Sequence, residues 1–109
     1  MFYLQDNHIY LTKGDTAYLT VSLTNADGTA YVPSEGDVIR FSAKTYFGAA
    51  ECAIKKQFNM GTMQLTFLPA DTKGLSAGKD YVYDIELTDA ENRVTTVISD
   101  MLTLLEEVE

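Results

Sequence analysis

The sequence has 109 residues and a net charge of −8, from 8 Lys and Arg against 16 Asp and Glu. A hydrophobic share of 46% and a charged share of 22% are typical of a folded globular chain, and we treat residues 1–109 as a single domain. The acidic surface disfavours nucleic acid and anionic membranes as partners, because both carry phosphate charge.

Runs of alternating apolar and polar residues predict seven strands, of which four lie in the first half of the chain. They cover residues 8–12, 15–25, 38–46 and 51–58. Turns containing Gly14, Gly28 and Gly36 separate the first three, and residues 29–32 are expected to be extended between two of these turns. Lys55 and Lys56 are typical of an edge strand that must resist pairing with another chain.

The second half contains three strands and one helical turn. Residues 63–68 alternate as a strand, and Pro69 begins a single helical turn that ends near Leu75. Residues 79–88 show the clearest period of two, which places one face of that strand in the core and the other in water. Within it, either Tyr81 or Tyr83 suits the tyrosine-corner position of a β-sandwich; the alternative is that both rings simply pack in the core.

The last predicted strand covers residues 93–105. Regular alternation would place Val94, Thr96 and Ile98 on the same face as Leu102 and Leu104. A bulge at residues 99–100 would change that phase.

The loops between these strands are too short for the crossovers that most parallel pairs need. We therefore predict an all-β fold: an immunoglobulin-like, two-sheet antiparallel β-sandwich of about seven strands with one short helical turn. A small barrel is the alternative. The absence of tryptophan excludes an antibody-type domain. Residues 1–7 and 106–109 are expected to be loosely ordered ends.

No residue set indicates a catalytic or cofactor site. Cys52 is the only cysteine and His8 the only histidine, so we interpret Cys52 as a small buried residue rather than a nucleophile. Asp84 and Glu86 lie on the wet face of one strand, ~6–7 Å apart by strand rise. A flat face offers no cleft for glycoside chemistry, and we predict no enzyme activity.

Two acidic turns offer oxygen atoms that calcium could use. Each supplies only two or three of the roughly six to eight ligands that calcium takes, and Asx residues are also common turn formers. We therefore predict no metal site and no cofactor. The turn residues are Asn25 and Asp27 in the first, and Asp89, Glu91 and Asn92 in the second.

Aromatic residues outside the predicted core favour a protein interface. Tyr18 lies on the polar face of its strand, whereas Tyr31, Tyr46 and Phe47 lie near strand ends or in loops. Such side chains are common at protein interfaces and on sugar-binding platforms. These four residues are the predicted interface.

Three segments together resemble a known family. They are IYLTKGDT at residues 9–16, DG at 27–28 leading into VIRFSAK at 38–44, and PADT at 69–72 leading into GKDYVYDI at 78–85. They are similar to the small immunoglobulin-like domains of phage and prophage tail and baseplate proteins. The nearest type is the N-terminal domain of the baseplate upper protein of phages that infect Gram-positive bacteria, and the likeness extends from about Ile9 to Leu104.

The resemblance implies a non-enzymatic structural or interaction protein of a virion. The sequence ends without a shaft or receptor-binding region, so we expect a tail or baseplate assembly, adaptor or decoration subunit. Its expected partners are other virion proteins, with a homo-oligomer as a further option. Without a signal peptide or an apolar run of membrane-spanning length, it would be made in the host cytoplasm and then enter the virion. The alternative function is a carbohydrate-binding or adhesion module.

Overall fold

The computed structural model describes residues 2–106. Within them lie eight strands and one short helix. In chain order these are β1 (Phe2–Gln5), β2 (His8–Thr12), β3 (Ala17–Thr20), β4 (Val38–Lys44), β5 (Ile54–Gln57), β6 (Gln64–Phe67), α1 (Pro69–Lys73), β7 (Asp80–Thr88) and β8 (Val94–Leu105). Since α1 has only five residues, the described part of the chain contains no helix able to cross a membrane.

The strands form two sheets that pack face to face, which confirms the predicted all-β sandwich. The larger sheet has the order β1-β2-β8-β7-β4-β5, and β3 pairs with β6 in the smaller one. β2 and β8 run parallel, from Ile9 opposite Leu102 to Thr12 opposite Leu105. The prediction of purely antiparallel pairing is wrong at this pair, because the whole intervening chain serves as the crossover and no short loop limits it.

The core lies between the sheets and centres on Phe41 of β4. Its ring stacks on Tyr83 of β7 at 5.1 Å between centroids and meets Phe67 of β6 edge-on at 5.3 Å. Such aromatic pairs contribute about 0.5–1.5 kcal/mol beyond the burial of their area. Phe41 and Phe67 are fully buried, so these contacts join the two sheets directly.

β3 is shorter than the strand predicted at residues 15–25. Its ladder with β6 ends where Thr20 pairs with Gln64. Residues 21–23 continue the alternation, with Val21 and Leu23 buried and Ser22 exposed. Two isolated hydrogen bonds replace the ladder here. The Val21 amide donates to the Met63 carbonyl, and the Tyr31 amide donates to the Leu23 carbonyl, each at 3.0 Å. The alternation was predicted correctly, but it does not reveal where the partner strand stops.

The N-terminal residues 2–5 form a strand where the sequence predicted a loose end. β1 pairs with β2 from Phe2 opposite Leu11 to Gln5 opposite His8, and the turn between them uses Asp6 at φ 56°. A four-residue strand is too short to show a reliable period. The predicted loose C-terminal end lies outside the described residues, except for Glu106.

A bulge in β8 decides which face each of its residues occupies. The register passes from Ile85 opposite Ile98 to Glu86 opposite Thr96, which leaves Val97 without a partner. The bulge therefore lies two residues before the position considered from the sequence. On the N-terminal side of the bulge, Val94 was predicted to share the buried face of Leu102 and Leu104, but it is 58% exposed.

Two side-chain contacts fix the end of the sandwich near α1. The Tyr81 hydroxyl accepts the Ser76 amide at 3.1 Å, so Tyr81, not Tyr83, occupies the tyrosine corner. The fully buried Thr72 of α1 accepts the Gly14 amide on its hydroxyl oxygen at 2.8 Å. That bond ties α1 to the turn after β2.

Candidate interaction surfaces

The outer face of the larger sheet carries a concavity, which we call the outer groove. Its floor comes from outward side chains of β4, β5 and β7, and the loop after β4 raises one wall. It encloses about 560 Å³. Its lining includes Arg40, Ser42, Lys44, Phe47, Cys52, Lys55, Asp84 and Glu86. The sheet face predicted to be flat is therefore concave, because alternation along a strand does not reveal how a neighbouring loop folds over it.

Charges in the outer groove are separated by sign. Arg40, Lys44 and Lys55 are three of the chain's 8 basic residues and lie on β4 and β5. Asp84 and Glu86 lie on β7, in register opposite Ser42 and Arg40. Within the described chain, no ion pair of 4.0 Å or less joins these five groups. Their hydrogen-bonding capacity therefore remains available to a ligand or partner.

The loop between β4 and β5 presents two aromatic side chains to solvent. Tyr46 is 63% exposed and Phe47 68% exposed. The Ala49 amide donates to the Tyr46 carbonyl at 3.1 Å, and the buried Ala49 anchors this tight turn. Gly48 takes φ 89°, which favours glycine. The turn thus holds Tyr46 and Phe47 outside the core.

Only two of the four predicted interface residues lie together. Tyr46 and Phe47 follow the end of β4, whereas Tyr31 precedes its start, ~20 Å away by strand rise. Tyr31 is half-buried, and its hydroxyl donates to Asp37 Oδ2 at 2.5 Å. This hydrogen bond raises the pKa of Tyr31. Tyr18 is 59% exposed on the smaller sheet. The four do not form one platform.

Cys52 is exposed, so the prediction that it is buried is wrong. It lies in the loop before β5, which begins at Ile54 and not at Glu51 as predicted. His8 lies on β2, and β2 is four strand spacings from β5, or ~19 Å. The two residues do not form a pair.

The acidic turns bond their own backbone. Asp27 Oδ1 accepts the hydroxyl of Thr29 at 2.6 Å and its amide at 3.0 Å, which holds the Asp27 pKa below its usual value. Asp89 accepts the amides of Arg93 and Glu91 and the Arg93 guanidinium, and its pKa is lowered in the same way. Residues 2–106 contain no cluster of three or more His, Cys, Asp or Glu arranged to hold a metal ion.

A polar chain on the outer face of β2 and β8 was missed from the sequence. Thr103 Oγ1 donates to Asp80 Oδ1 at 2.6 Å, so its oxygen accepts from His8 Nε2 at 2.7 Å. The His8 ring stacks on Tyr10 at 4.2 Å. His8 and Thr103 are 95 positions apart. Only the parallel pairing brings them together, and no local pattern indicates it.

One side of the sandwich is not closed by a strand. We call the space there the open groove: residues 19–24 form one wall, and residues 95–98 of β8 form the other. It consists of two adjoining hollows of about 380 and 170 Å³, which share Ser22 and Ile98 in their linings. Its lining is largely apolar.

No protein-family model, curated protein or solved structure matches this chain.

Proposed function

We propose that this protein is a non-enzymatic structural subunit of a phage or prophage virion, which docks onto other virion proteins during tail or baseplate assembly. Assignment to a virion is supported by the resemblance of residues 9–16, 27–28, 38–44, 69–72 and 78–85 to phage tail and baseplate domains. Docking is supported by one observation above the others. The Tyr46–Phe47 turn holds two large aromatic side chains in solvent, beside charged groups that have no ion-pair partner within the described chain.

Aromatic side chains and arginine supply a large share of the energetically important contacts in protein interfaces. Phe47 and Arg40 both line the outer groove. A partner that covers this surface would bury both rings and offer its own charges to the basic and acidic sides of the floor. The surface therefore combines exposed aromatic rings on one wall with charged side chains on the floor, two kinds of residue that docking sites use.

The proposal is tested by incorporation into particles. Tagged wild-type protein and the Tyr46→Ser/Phe47→Ser double variant are expressed during phage or prophage induction, and purified particles are analysed by quantitative mass spectrometry. We expect the double variant to be depleted by about 30-fold, the equivalent of ~2 kcal/mol of lost contact energy.

Tyr18→Ser is the matched control, because Tyr18 is similarly exposed but lies on the other sheet. It should enter particles at the wild-type level. Absence of the wild-type protein from purified particles would contradict the virion assignment. Equal incorporation of the double variant would contradict docking through the Tyr46–Phe47 turn.

The second candidate function is a carbohydrate-binding or adhesion module, which one feature of the outer groove favours. Phe47 lies beside Arg40, Asp84 and Glu86, and an aromatic face next to fixed polar groups is suited to a sugar ring. A glycan array would show selective binding that is lost in Phe47→Ala and kept in Tyr18→Ala. An array without selective binding would remove this candidate.

A further inference from the structure

β8 has strand neighbours on both sides along only part of its length. β7 pairs with it from Val94 to Thr103, whereas β2 pairs with it only from Leu102 to Leu105. No other described backbone group bonds to residues 94–100. The first half of β8 is therefore an unpaired edge inside the larger sheet.

The direction of the unpaired groups follows from strand alternation. Leu104 bonds toward the β7 side, where its carbonyl accepts the Gly78 amide at 2.7 Å. Leu105 bonds to the other side, where its carbonyl accepts the Lys13 amide at 2.9 Å. Backbone groups of every second residue point to the same side of a strand, and Ser99 lies six residues before Leu105 with no bulge between them. The N–H and C=O of Ser99 therefore face the side without a strand. The Met101 amide points to the same side but already donates to Asp100 Oδ1 at 2.7 Å. We therefore call Val94–Ser99 the free edge.

The opposite wall also has unpaired backbone. Val21 and Leu23 direct their backbone groups toward Met63 and Tyr31. Ser22, between them, directs its groups the other way, toward the open groove that it lines. Both walls can therefore bond an incoming backbone.

The wall that the larger sheet contributes to the open groove is apolar. Leu87, Val97 and Ile98 line it from the larger sheet, and all three are only partly buried against the core. Adjacent residues of a regular strand point to opposite faces, but the bulge at Val97 allows both Val97 and Ile98 to line the groove. A strand added to β8 would place every second side chain next to this apolar wall.

The charges around the open groove favour a basic partner. Asp37, Asp89, Glu91 and Arg93 line a hollow that shares Tyr31 with the groove. Arg93 pairs with Asp89 and Glu91, so with three acidic residues and one arginine the hollow keeps a net charge of −2. Asp100 lies at the other end of the free edge. A second copy of this chain would bring another net charge of −8, which disfavours close approach.

We propose that the open groove accepts an extended segment of another protein as an added strand on Val94–Ser99. That segment has apolar side chains at alternate positions and Lys or Arg at its ends. The free edge contains no proline or charged residue, whereas the β5 edge carries Lys55 and Lys56. The inference goes beyond the docking function above and does not use the Tyr46–Phe47 turn, so the two proposals fail separately.

The first test uses a synthetic peptide of alternating valine and threonine with lysine at each end, titrated into the full chain by fluorescence anisotropy. We expect saturable one-to-one binding. A matched peptide with N-methyl groups on alternate residues cannot donate along one edge, and it should bind at least about tenfold more weakly, since each lost hydrogen bond is worth ~1 kcal/mol.

The second test changes the edge itself. Ser99→Pro removes the outward N–H and leaves the β7 ladder intact, a change that edge strands tolerate. It should weaken peptide binding at least about fivefold, while Ser99→Thr binds as the wild type. If Ser99→Pro does not fold, the N-methylated peptide on wild-type protein decides the question.

Three results would overturn the proposal. One is the absence of saturable binding up to about 1 mM, which corresponds to only ~4 kcal/mol. Another is equal binding of both peptides, or of folded Ser99→Pro and wild type. The third is a wild-type dimer in sedimentation that Ser99→Pro dissociates, because the occupant would then be a second copy of this chain.

Discussion

The two halves of β8 both contain apolar residues but lie in different environments. Residues 102–105 lie between two strands, and Leu102 and Leu104 are completely buried. Residues 94–99 have one strand neighbour, and Val94 is 58% exposed although it is also apolar. Position in the sheet, not residue type, determines burial here. The closed half stabilises the fold, and the open half keeps backbone groups free for a partner.

The largest expected difference between the halves comes from truncating one apolar side chain in each. Leu102→Ala removes a fully buried side chain and should lower the free energy of unfolding by about 3–4 kcal/mol. Val94→Ala, in the open half, should change it by less than about 0.5 kcal/mol. Urea denaturation of both variants measures the contrast. Equal losses would show that the first half of β8 is packed as tightly as the second.

The second-largest loss of stability is expected where Gly36 packs against the turn that precedes β8. Gly36 takes φ 93°, and a Cβ built there would lie 2.8 Å from the Cβ of Ala90 in the turn before β8. Gly36→Ala should destabilise by about 2–3 kcal/mol, from both backbone strain and overpacking.

Gly28→Ala is the matched control for that change. Gly28 takes φ 89°, but a Cβ at this position would meet no atom within 4 Å, so only the strain of about 1 kcal/mol applies. Thermal unfolding should rank wild type above Gly28→Ala and Gly28→Ala above Gly36→Ala. If the two variants are equally stable, the contact between residues 36 and 90 does not constrain the open half.

A smaller effect is expected at the boundary between the halves, where Tyr83 pairs with Asp100. The Tyr83 hydroxyl donates to the Asn7 carbonyl, so Tyr83→Phe should cost about 1 kcal/mol at pH 7. Burial, with Asp100 as a second cause, raises the pKa of Tyr83 to about 12.

Because that pKa is above the value of the unfolded chain, the neutral hydroxyl stabilises the fold below pH ~10, and this contribution is lost as pH rises toward 12. Wild-type stability should therefore fall between pH 10 and 12, and Tyr83→Phe should fall less over the same interval. Parallel curves for the two proteins would contradict this assignment. Chemical denaturation at pH 7 and at pH 11 gives the comparison.

The smallest effect is expected at Asp89 in the turn before β8. Its pKa is lowered first by the Arg93 amide and further by the Arg93 side chain and the Glu91 amide. The charged carboxylate therefore stabilises the fold above the unfolded-state value near 3.8, and this contribution is lost as pH falls through the lower folded pKa. Asp89→Asn should be slightly less stable at pH 7 and less sensitive to acid than wild type. Glu91→Gln is the matched control, because it removes a neighbouring charge and leaves the hydrogen bonds to the Asp89 carboxylate in place.

Alternation and charge patterns predicted those features of the fold that are determined by the residues of a single strand. The alternation of residues 79–88 correctly predicted β7, and the Lys55–Lys56 pair correctly predicted an edge strand. The parallel pairing of Ile9 with Leu102 was not predictable, because it depends on how distant segments meet. Exposed Cys52 was misjudged for a related reason: its neighbours look like a strand, but β5 begins only at Ile54.

The interaction surfaces were less predictable than the fold. Exposure of Tyr46 and Phe47 agrees with their loop position, but Tyr31 is engaged by Asp37, which precedes β4. Neither groove could be read from the sequence. The outer groove depends on how a loop folds over a sheet, and the open groove depends on where β2 stops pairing with β8.

The parallel contact between β2 and β8 also determines when the protein can fold. It joins residues as far apart as His8 and Thr103, 95 positions along the chain. Until residues 102–105 have left the ribosome, the nascent polypeptide has no partner for that side of β2, and the fully buried Ile9 and Leu11 remain in contact with water. Loop closure over such a separation slows folding and prolongs exposure to aggregation. We therefore expect this sandwich to finish folding only after residues 102–105 have emerged, and translation pauses upstream of residue 102 should increase the demand for chaperones.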